Sequence, residues 1–390
     1  MAAFPGGPLA FLSEAFLRET GLICGLSEAA TAELERAAAR VRADPLLTRV
    51  AWFLHRIYLR TPMPPVPEIG SWPFNARPLA EPAAMIPALV VIAGVPALRD
   101  RHRASGIPVE ITRATLGDLE IWVRHFHRAN GYWGLQNLAW LSHHLDGRLV
   151  RLGRLQFQSI DFAGPVWAFA HRVTGQVTAL CAPGIVLRRD GLVNGTNGVS
   201  EAGAWTSTLD RNEAAATGHP VDPRGFVPRE RVTLPSPLWR PALAPGDPVL
   251  DIHIPEGGPM DFEACGESMR TALAFFPRHF PERLPAVAFV CSTWFFDAQY
   301  QQILPATSNI VRFQREFYLY PQLSDDREPF WRVFGRVPVD LANAPRDSSL
   351  RRAMLDFKMA GGQLRCAGGF CLADGWRWGS QRYQAGGNPP

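Results

Sequence analysis

The stretch Pro248-Val-Leu-Asp-Ile-His-Ile-Pro-Glu-Gly-Gly-Pro-Met-Asp261 constrains the fold of this chain more than any other. Val249 to Ile254 alternates with the period of a strand. Val249, Asp251 and His253 fall on one face, and Leu250, Ile252 and Ile254 on the other. Pro255 ends the strand, and Glu256-Gly257-Gly258-Pro259 is a turn. Asp261 reads as the N-cap of a helix to about Phe276, with Phe262, Cys265, Met269, Leu273 and Phe276 at helical spacing. A second strand, Ala286 to Cys291, follows. The succession predicts a βαβ unit, whose ligand site normally lies at the carboxyl end of the first strand. Asp251, His253 and Glu256 cluster at that point of the sequence.

The rest of the chain sorts around this unit. At 390 residues it can hold two or three cores. Residues 9–60 carry helical stripes, Leu9/Leu12/Phe16/Leu17 and Leu46/Val50/Phe53/Leu54/Ile57 among them. Thr61 to Pro82 has seven prolines with Trp72 and Phe74 and reads as an extended connector packed on the surface. Ala83 to Leu98 reads as a buried helix bent by proline, interrupted and too short to span a bilayer. A further helix is expected after Ile107–Thr112, capped by Thr112 or Thr115, with a core face of Leu116, Leu119, Trp122, Val123 and Phe126. Gly131–Gly134 breaks it, and Leu135 to Leu145 is a short helix. His125, His127, His143 and His144 read as surface or helix-end groups, since none has a carboxylate four residues on.

The pattern changes near Gly147. Arg148 to Phe162 alternates, and Val166–Arg172 with Gln176–Ala182 predicts a hairpin. Residues 188–248 read as a loop-rich insertion. Short helices are expected at Ala298–Leu304 and from Ser308, and a last helix runs from Asp347 to about Met359. The tail from about 381 to 390 reads as disordered. The expectation is an α+β chain: an all-helical N-terminal domain, 1–146, and a mixed α/β domain, 147–390.

Composition limits the chemistry. Of 40 basic residues only Lys358 is a lysine, and it lies on an amphipathic helix, which argues against Schiff-base catalysis. The net charge of +4 is small, and no basic run is interleaved with aromatics, so no nucleic-acid partner is expected. Six scattered cysteines read as buried free thiols. No metal signature appears, and none of the nucleophile-elbow, P-loop or dinucleotide motifs does. The N-terminus has no signal-peptide pattern, so a cytoplasmic location and no membrane partner are the expectation. The sequence does not fix an oligomeric state.

Leu152-Gly-Arg-Leu-Gln-Phe157, Gly246-Asp-Pro-Val-Leu-Asp-Ile-His-Ile-Pro255, Cys291-Ser-Thr-Trp-Phe-Phe-Asp297 and Ser308-Asn-Ile-Val-Arg-Phe313 resemble bacterial acyltransferase domain-containing proteins. These have a helical N-acyltransferase N-terminal domain and a GNAT-like C-terminal domain. The resemblance covers nearly the whole chain and implies a GNAT-like fold for 147–390. It implies acyl-CoA as co-substrate, with the pyrophosphate on the turn at Gly257 and Gly258, and a small-molecule amine or hydroxyl acceptor. The turn reads Ile254-Pro-Glu-Gly-Gly-Pro259, in place of Gln/Arg-x-x-Gly-x-Gly/Ala.

Asp251 and His253, at i and i+2 on a strand, share a face, so Asp251 can orient the imidazole as a base. The same pair also reads as a buried structural hydrogen bond. Glu256 is a second acid or base, and Tyr300 a proton donor to the leaving group. Gln156, Gln158, Trp294, Asp297 and Arg312 are candidate substrate contacts. For each there is a plainer reading: strand surface, helix cap or ion pair. The alternative function is a hydrolase or lyase using Asp251, His253 and Glu256 without CoA. A ligand- or partner-binding protein without catalysis is the third.

Overall fold

The computed structural model describes residues 4–73, 79–81 and 83–383. It comprises two compact units. The first is Met1–Gln158 with Ile254–Pro259 and Ala274–Pro281, and the second is Ser159–His253 with Met260–Leu273 and Glu282–Pro390. Each is described in turn.

The first unit is largely helical, through Glu14–Ile23, Glu28–Ala43, Pro45–Tyr58, Ile86–Ala93, Val95–Ala104, Val109–Leu116, Asp118–Asn130 and Leu138–Leu145. The first three start where a short polar side chain satisfies an otherwise unpaired N–H. Ser13 accepts from Phe16, Ser27 from Ala30, and Asp44 from Leu46 and Leu47. Their apolar stripes meet in one core that includes Leu17, Leu34, Leu54, Tyr58, Leu89, Ile92, Leu119 and Leu138. Ala83–Ala104 is 22 residues and apolar enough to cross a membrane by length and composition, a length the sequence reading understated. Two-thirds of its most apolar window (67%) is buried in the protein, as a core element is. It is three pieces rather than one bent helix: a 3₁₀ turn, Ala83–Met85, then Ile86–Ala93 and Val95–Ala104.

Two expectations change here. Thr112 and Thr115 are not caps. They lie inside Val109–Leu116, and their hydroxyls donate back to the carbonyls of Pro108 and Ile111. The connector is not extended throughout, because Val66–Gly70 is a short helix with Pro67 in its first turn, where a missing N–H costs nothing. Trp72 packs edge-on to Tyr58, whereas Phe74 lies outside the described residues. The unit also holds the hairpin of β1 (Leu149–Leu152) with β2 (Leu155–Asp161) as far as Gln158, paired Leu149 to Gln158 and Leu152 to Leu155.

The second unit contains β3 (Val166–His171) and β4 (Val177–Cys181), an antiparallel hairpin as expected. The region 188–248, expected to be loop-rich, has most of its residues outside strands but carries several short strands. They begin just upstream with β5 (Val186–Leu187) and continue with β6 (Trp205–Thr206), β7 (Leu209–Arg211), β8 (Ala215–Gly218), β9 (Pro220–Val221), β10 (Val232–Pro235) and β11 (Trp239–Leu243). They pair in three small sheets: β5-β6, β10-β8-β7, and β11 and β9 on either side of the β3-β4 hairpin. Strands this short carry too few residues for alternation to register.

β12 (Pro248–His253), β13 (Ala288–Thr293), β15 (Ala367–Leu372) and β14 (Tyr318–Pro321) lie side by side in that order. β12 and β13 are parallel, Val249 opposite Ala288 and Asp251 opposite Val290, and the other pairs are antiparallel. The crossover contains the helix Phe262–His279, which Asp261 caps by accepting the Ala264 N–H at 2.7 Å. The predicted βαβ unit is present. Beyond it, Ser348 caps the helix Ser349–Met359. All six cysteines are free and buried. Of the tail, 384–390 lies outside the described residues. Tyr383, in its first part, is packed: it accepts the Leu372 N–H at 2.9 Å, and its ring meets Tyr318 and Phe370.

β15 is Ala367-Gly-Gly-Phe-Cys-Leu372, and every residue is buried. Its glycines are a packing requirement. A Cβ on Gly368 would stand 2.1 Å from the Tyr320 ring, and one on Gly369 2.6 Å from Phe296. Gly368→Ala is expected to destabilise the protein by about 1–3 kcal/mol, the cost of overpacking a filled core. Gly203, with nothing within 4 Å of an added Cβ, is the control. Thermal denaturation decides: equal melting temperatures for G368A and G203A would contradict the argument.

Candidate active site

Asp251 and His253 project from the same side of β12, as two residues of one pleated strand must. His253 Nε2 stands 3.2 Å from Asp251 Oδ2, and both side chains are about one-quarter exposed. The pair is therefore neither fully enclosed nor fully solvated. A carboxylate at this distance orients an imidazole and stabilises the imidazolium once it takes a proton.

The turn after β12 belongs to the first unit, and Glu256 is engaged there. Its carboxylate meets Arg128 Nη2 at 2.6 Å and His125 Nδ1 at 3.4 Å, both on the helix Asp118–Asn130. The His125 hydrogen bond, opposed by partial burial and helped by Arg128, holds the Glu256 carboxyl below its ordinary value. Glu256, expected as a second acid or base, is thus engaged as an ion-pair partner of Arg128 and His125. Gly257 and Gly258 have φ of +102° and +77°, which side-chain-bearing residues rarely adopt, and nothing lies within 4 Å of a Cβ built on either.

The remaining sequence candidates take structural places. Gln156 is fully buried in the first unit and donates through Nε2 to Asp118 Oδ1 at 3.0 Å. Gln158, two residues on, is half-buried opposite Leu149. Alternation put the two glutamines on one side of a strand but did not say what covers that side. Tyr300 is fully buried against Trp294, and burial, with Asp297 and Cys366 nearby, pushes its hydroxyl well above the ordinary tyrosine value. That makes it a poor donor to a leaving group, against expectation. Asp297 is fully buried too, taking N–H groups from Gln299 and Arg365 with the Arg365 guanidinium 3.4 Å away. Arg312 lies 3.8 Å over the Phe262 ring and 3.2 Å from Glu263, so it braces the start of the crossover helix.

Sequence reasoning missed the buried cluster around Asp118. This carboxylate accepts from Trp122 at 3.2 Å, Trp140 at 2.6 Å and Gln156 at 3.0 Å, and lies 3.2 Å from His144 Nε2. His144 has a carboxylate partner after all, 26 positions away in sequence and invisible to helical spacing. Among the described residues, no three metal-ligating side chains come together.

A family model described as GNAT-like C-terminal domain matches residues 149–371, and one described as N-acyltransferase N-terminal domain matches 15–147. No curated protein matches the sequence. Solved structures do. An acyltransferase mutant in complex with octanoyl-CoA is 25% identical with a TM-score of 0.61, over 94% of this chain and 91% of that one. An acyltransferase in complex with decanoyl-CoA and teicoplanin is 25% identical with a TM-score of 0.59, over 91% and 87%. A third, in complex with CoA and 10C-teicoplanin, is 23% identical with a TM-score of 0.55, over 91% and 99%, a likeness of fold alone.

The Asp118 cluster makes a pH-dependent prediction. Burial works to raise this carboxyl, but the His144 charge and the hydrogen bonds of His144, Trp140 and Gln156 prevail and hold it at about 2, against an ordinary 3.8. A depressed native value adds stability that is complete above the unfolded value and lost as pH falls through the native one. The interval corresponds to about 2 kcal/mol. Urea unfolding of wild type and Asp118→Asn between pH 6 and pH 2 tests it. The stability gap should narrow by about that amount on acidification, and a constant gap would refute it.

Proposed function

This chain belongs to the GNAT-like C-terminal domain family, with an N-acyltransferase N-terminal domain ahead of it, and is an acyltransferase; we propose that it moves an acyl group from acyl-CoA to an amine or hydroxyl of a small-molecule acceptor, with His253 as base and Asp251 as its orienting partner. The observation that carries the residue assignment is the 3.2 Å Asp251–His253 pair, partly exposed on one face at the end of a parallel strand. The complexes with octanoyl-CoA and decanoyl-CoA support a medium-chain acyl-CoA as donor. The teicoplanin complex makes a glycopeptide amine or hydroxyl the first acceptor to try.

In the proposed step, the acceptor N–H or O–H gives its proton to His253 as its lone pair attacks the thioester carbonyl. Asp251 offsets the charge that develops on the imidazole. The tetrahedral intermediate collapses with breakage of the C–S bond, and the imidazolium returns the proton to the CoA sulfur. Atoms balance with one proton shuttled by one residue, and Tyr300 is not required. The hydrolytic alternative called for Glu256 as a further acid or base. Its carboxylate is committed to Arg128 and His125, which favours the transferase reading.

Two measurements test this. Octanoyl-CoA should raise the melting temperature saturably, since a ligand that binds only the native state stabilises it. With a glycopeptide acceptor, His253→Ala should lower kcat by about 10²–10⁴-fold while retaining the octanoyl-CoA shift. Absence of any shift at millimolar octanoyl-CoA would end the acyl-CoA reading. A shift with full turnover in H253A would remove His253 from the mechanism.

A further inference from the structure

We infer that Arg154 is a positioning residue for CoA: it holds the Pro255, Gly258 and Pro259 carbonyls of the Ile254–Pro259 turn on one side and so turns the Glu256 N–H away from them, toward the pyrophosphate. The inference rests on the acyl-CoA reading above and gives it a residue that the reading does not include.

Arg154 sits at the tip of the β1–β2 hairpin, directly after Gly153, whose φ is +70°. The sharp turn there carries a half-buried guanidinium to the chain segment that follows β12, about a hundred residues later. Three of its nitrogens face three carbonyls of that segment. Nε donates to Pro259 O at 2.9 Å, Nη1 to Pro255 O at 3.1 Å, and Nη2 lies at 3.5 Å from Gly258 O. The rigid planar fork makes this possible; an ammonium group has the charge but not the spread.

The consequence follows from the peptide plane. In a trans peptide the N–H and C=O point in opposite directions. Fixing the Pro255 carbonyl on the guanidinium therefore turns the Glu256 N–H away from it. Among the described residues, no protein acceptor takes the N–H of Glu256, Gly257 or Gly258. The two glycines leave the backbone open to close approach. Unpaired backbone N–H groups in a glycine turn, with that of Glu256 oriented by Arg154, are what an anion such as a pyrophosphate recognises. The carboxylate that would repel it, Glu256, is already paired with Arg128 and His125. Arg154 itself adds a positive charge behind the turn.

A merely structural arginine would affect every substrate alike. A positioning residue for the pyrophosphate would affect only donors that have one. The experiment therefore compares octanoyl-CoA with octanoyl-pantetheine, which carries the same thioester but no pyrophosphate, in wild type, Arg154→Ala and Arg154→Lys. The ratio of kcat/KM for the two donors is expected to fall about tenfold or more in R154A, mainly through the KM for octanoyl-CoA. R154K, with charge but no fork, should fall between. An unchanged ratio in folded R154A, with both donors affected equally, would overturn the inference while leaving the acyl-CoA reading in place. If wild type itself does not turn over octanoyl-CoA, the acyl-CoA reading fails, and the inference with it.

Discussion

The parallel pairing of β12 with β13 is the constraint on which the rest of the site depends. Antiparallel neighbours can be joined by two residues, but parallel ones need a crossover that carries the chain back to the starting end. The chain must therefore leave β12 at its carboxyl end, turn sharply, and return through a helix. Each part of that demand is met by a recognisable residue. Pro255 stops the strand, Gly257 and Gly258 accept the positive φ of the turn, and Asp261 caps the helix. The pleat fixes where side chains go, so Asp251 and His253 share a side because they are two residues apart.

Four acidic positions show how environment sorts structure from chemistry. Asp118 is buried with three N–H donors and His144 around it, and stays ionised through them. Asp297 is buried as deeply. There desolvation prevails over Arg365 and the N–H groups of Gln299 and Arg365, so its carboxyl is raised. Both are committed to holding neighbouring elements. Glu256 is half-exposed but spoken for by Arg128 and His125. Asp251 differs in kind: it stands beside a partly exposed imidazole. A buried, fully bonded carboxylate is built for stability, and a base must be able to meet its substrate. This contrast, more than the distance alone, is why the proposed chemistry is placed on His253.

What the sequence made legible was local. The βαβ unit could be read because a period of two gives way to a turn and then to a period of 3.6, with a cap between. β15 was missed because two of its six residues are glycines, which carry no side chain to show alternation; they are glycines so that Tyr320 and Phe296 can lie against the strand. The alternation that placed Gln156 was right about the side and silent about its cover, since burial by Asp118 and His144 depends on helices earlier in the chain. Asp251 and His253 could be found because strand geometry alone joins them. Arg154, Arg128 and His125 could not, because they reach the turn across 101 to 131 positions of sequence.

Those long-range contacts change what the turn means electrostatically. In the sequence it carries one charge, the negative charge of Glu256, and so looks hostile to a phosphate. In the folded chain the guanidinium of Arg128 sits on that carboxylate, and the guanidinium of Arg154 sits on the carbonyls beside it. One negative and two positive groups leave the turn with a net positive charge before His125 is counted. Glu256 also draws Arg128 toward the loop, and a guanidinium held in place ahead of ligand binding loses less freedom when an anion arrives. The carboxylate that looked like an obstacle thus helps to order the cationic surroundings of the turn. Burial and pairing, which the order of residues does not reveal, reverse the sign of the argument.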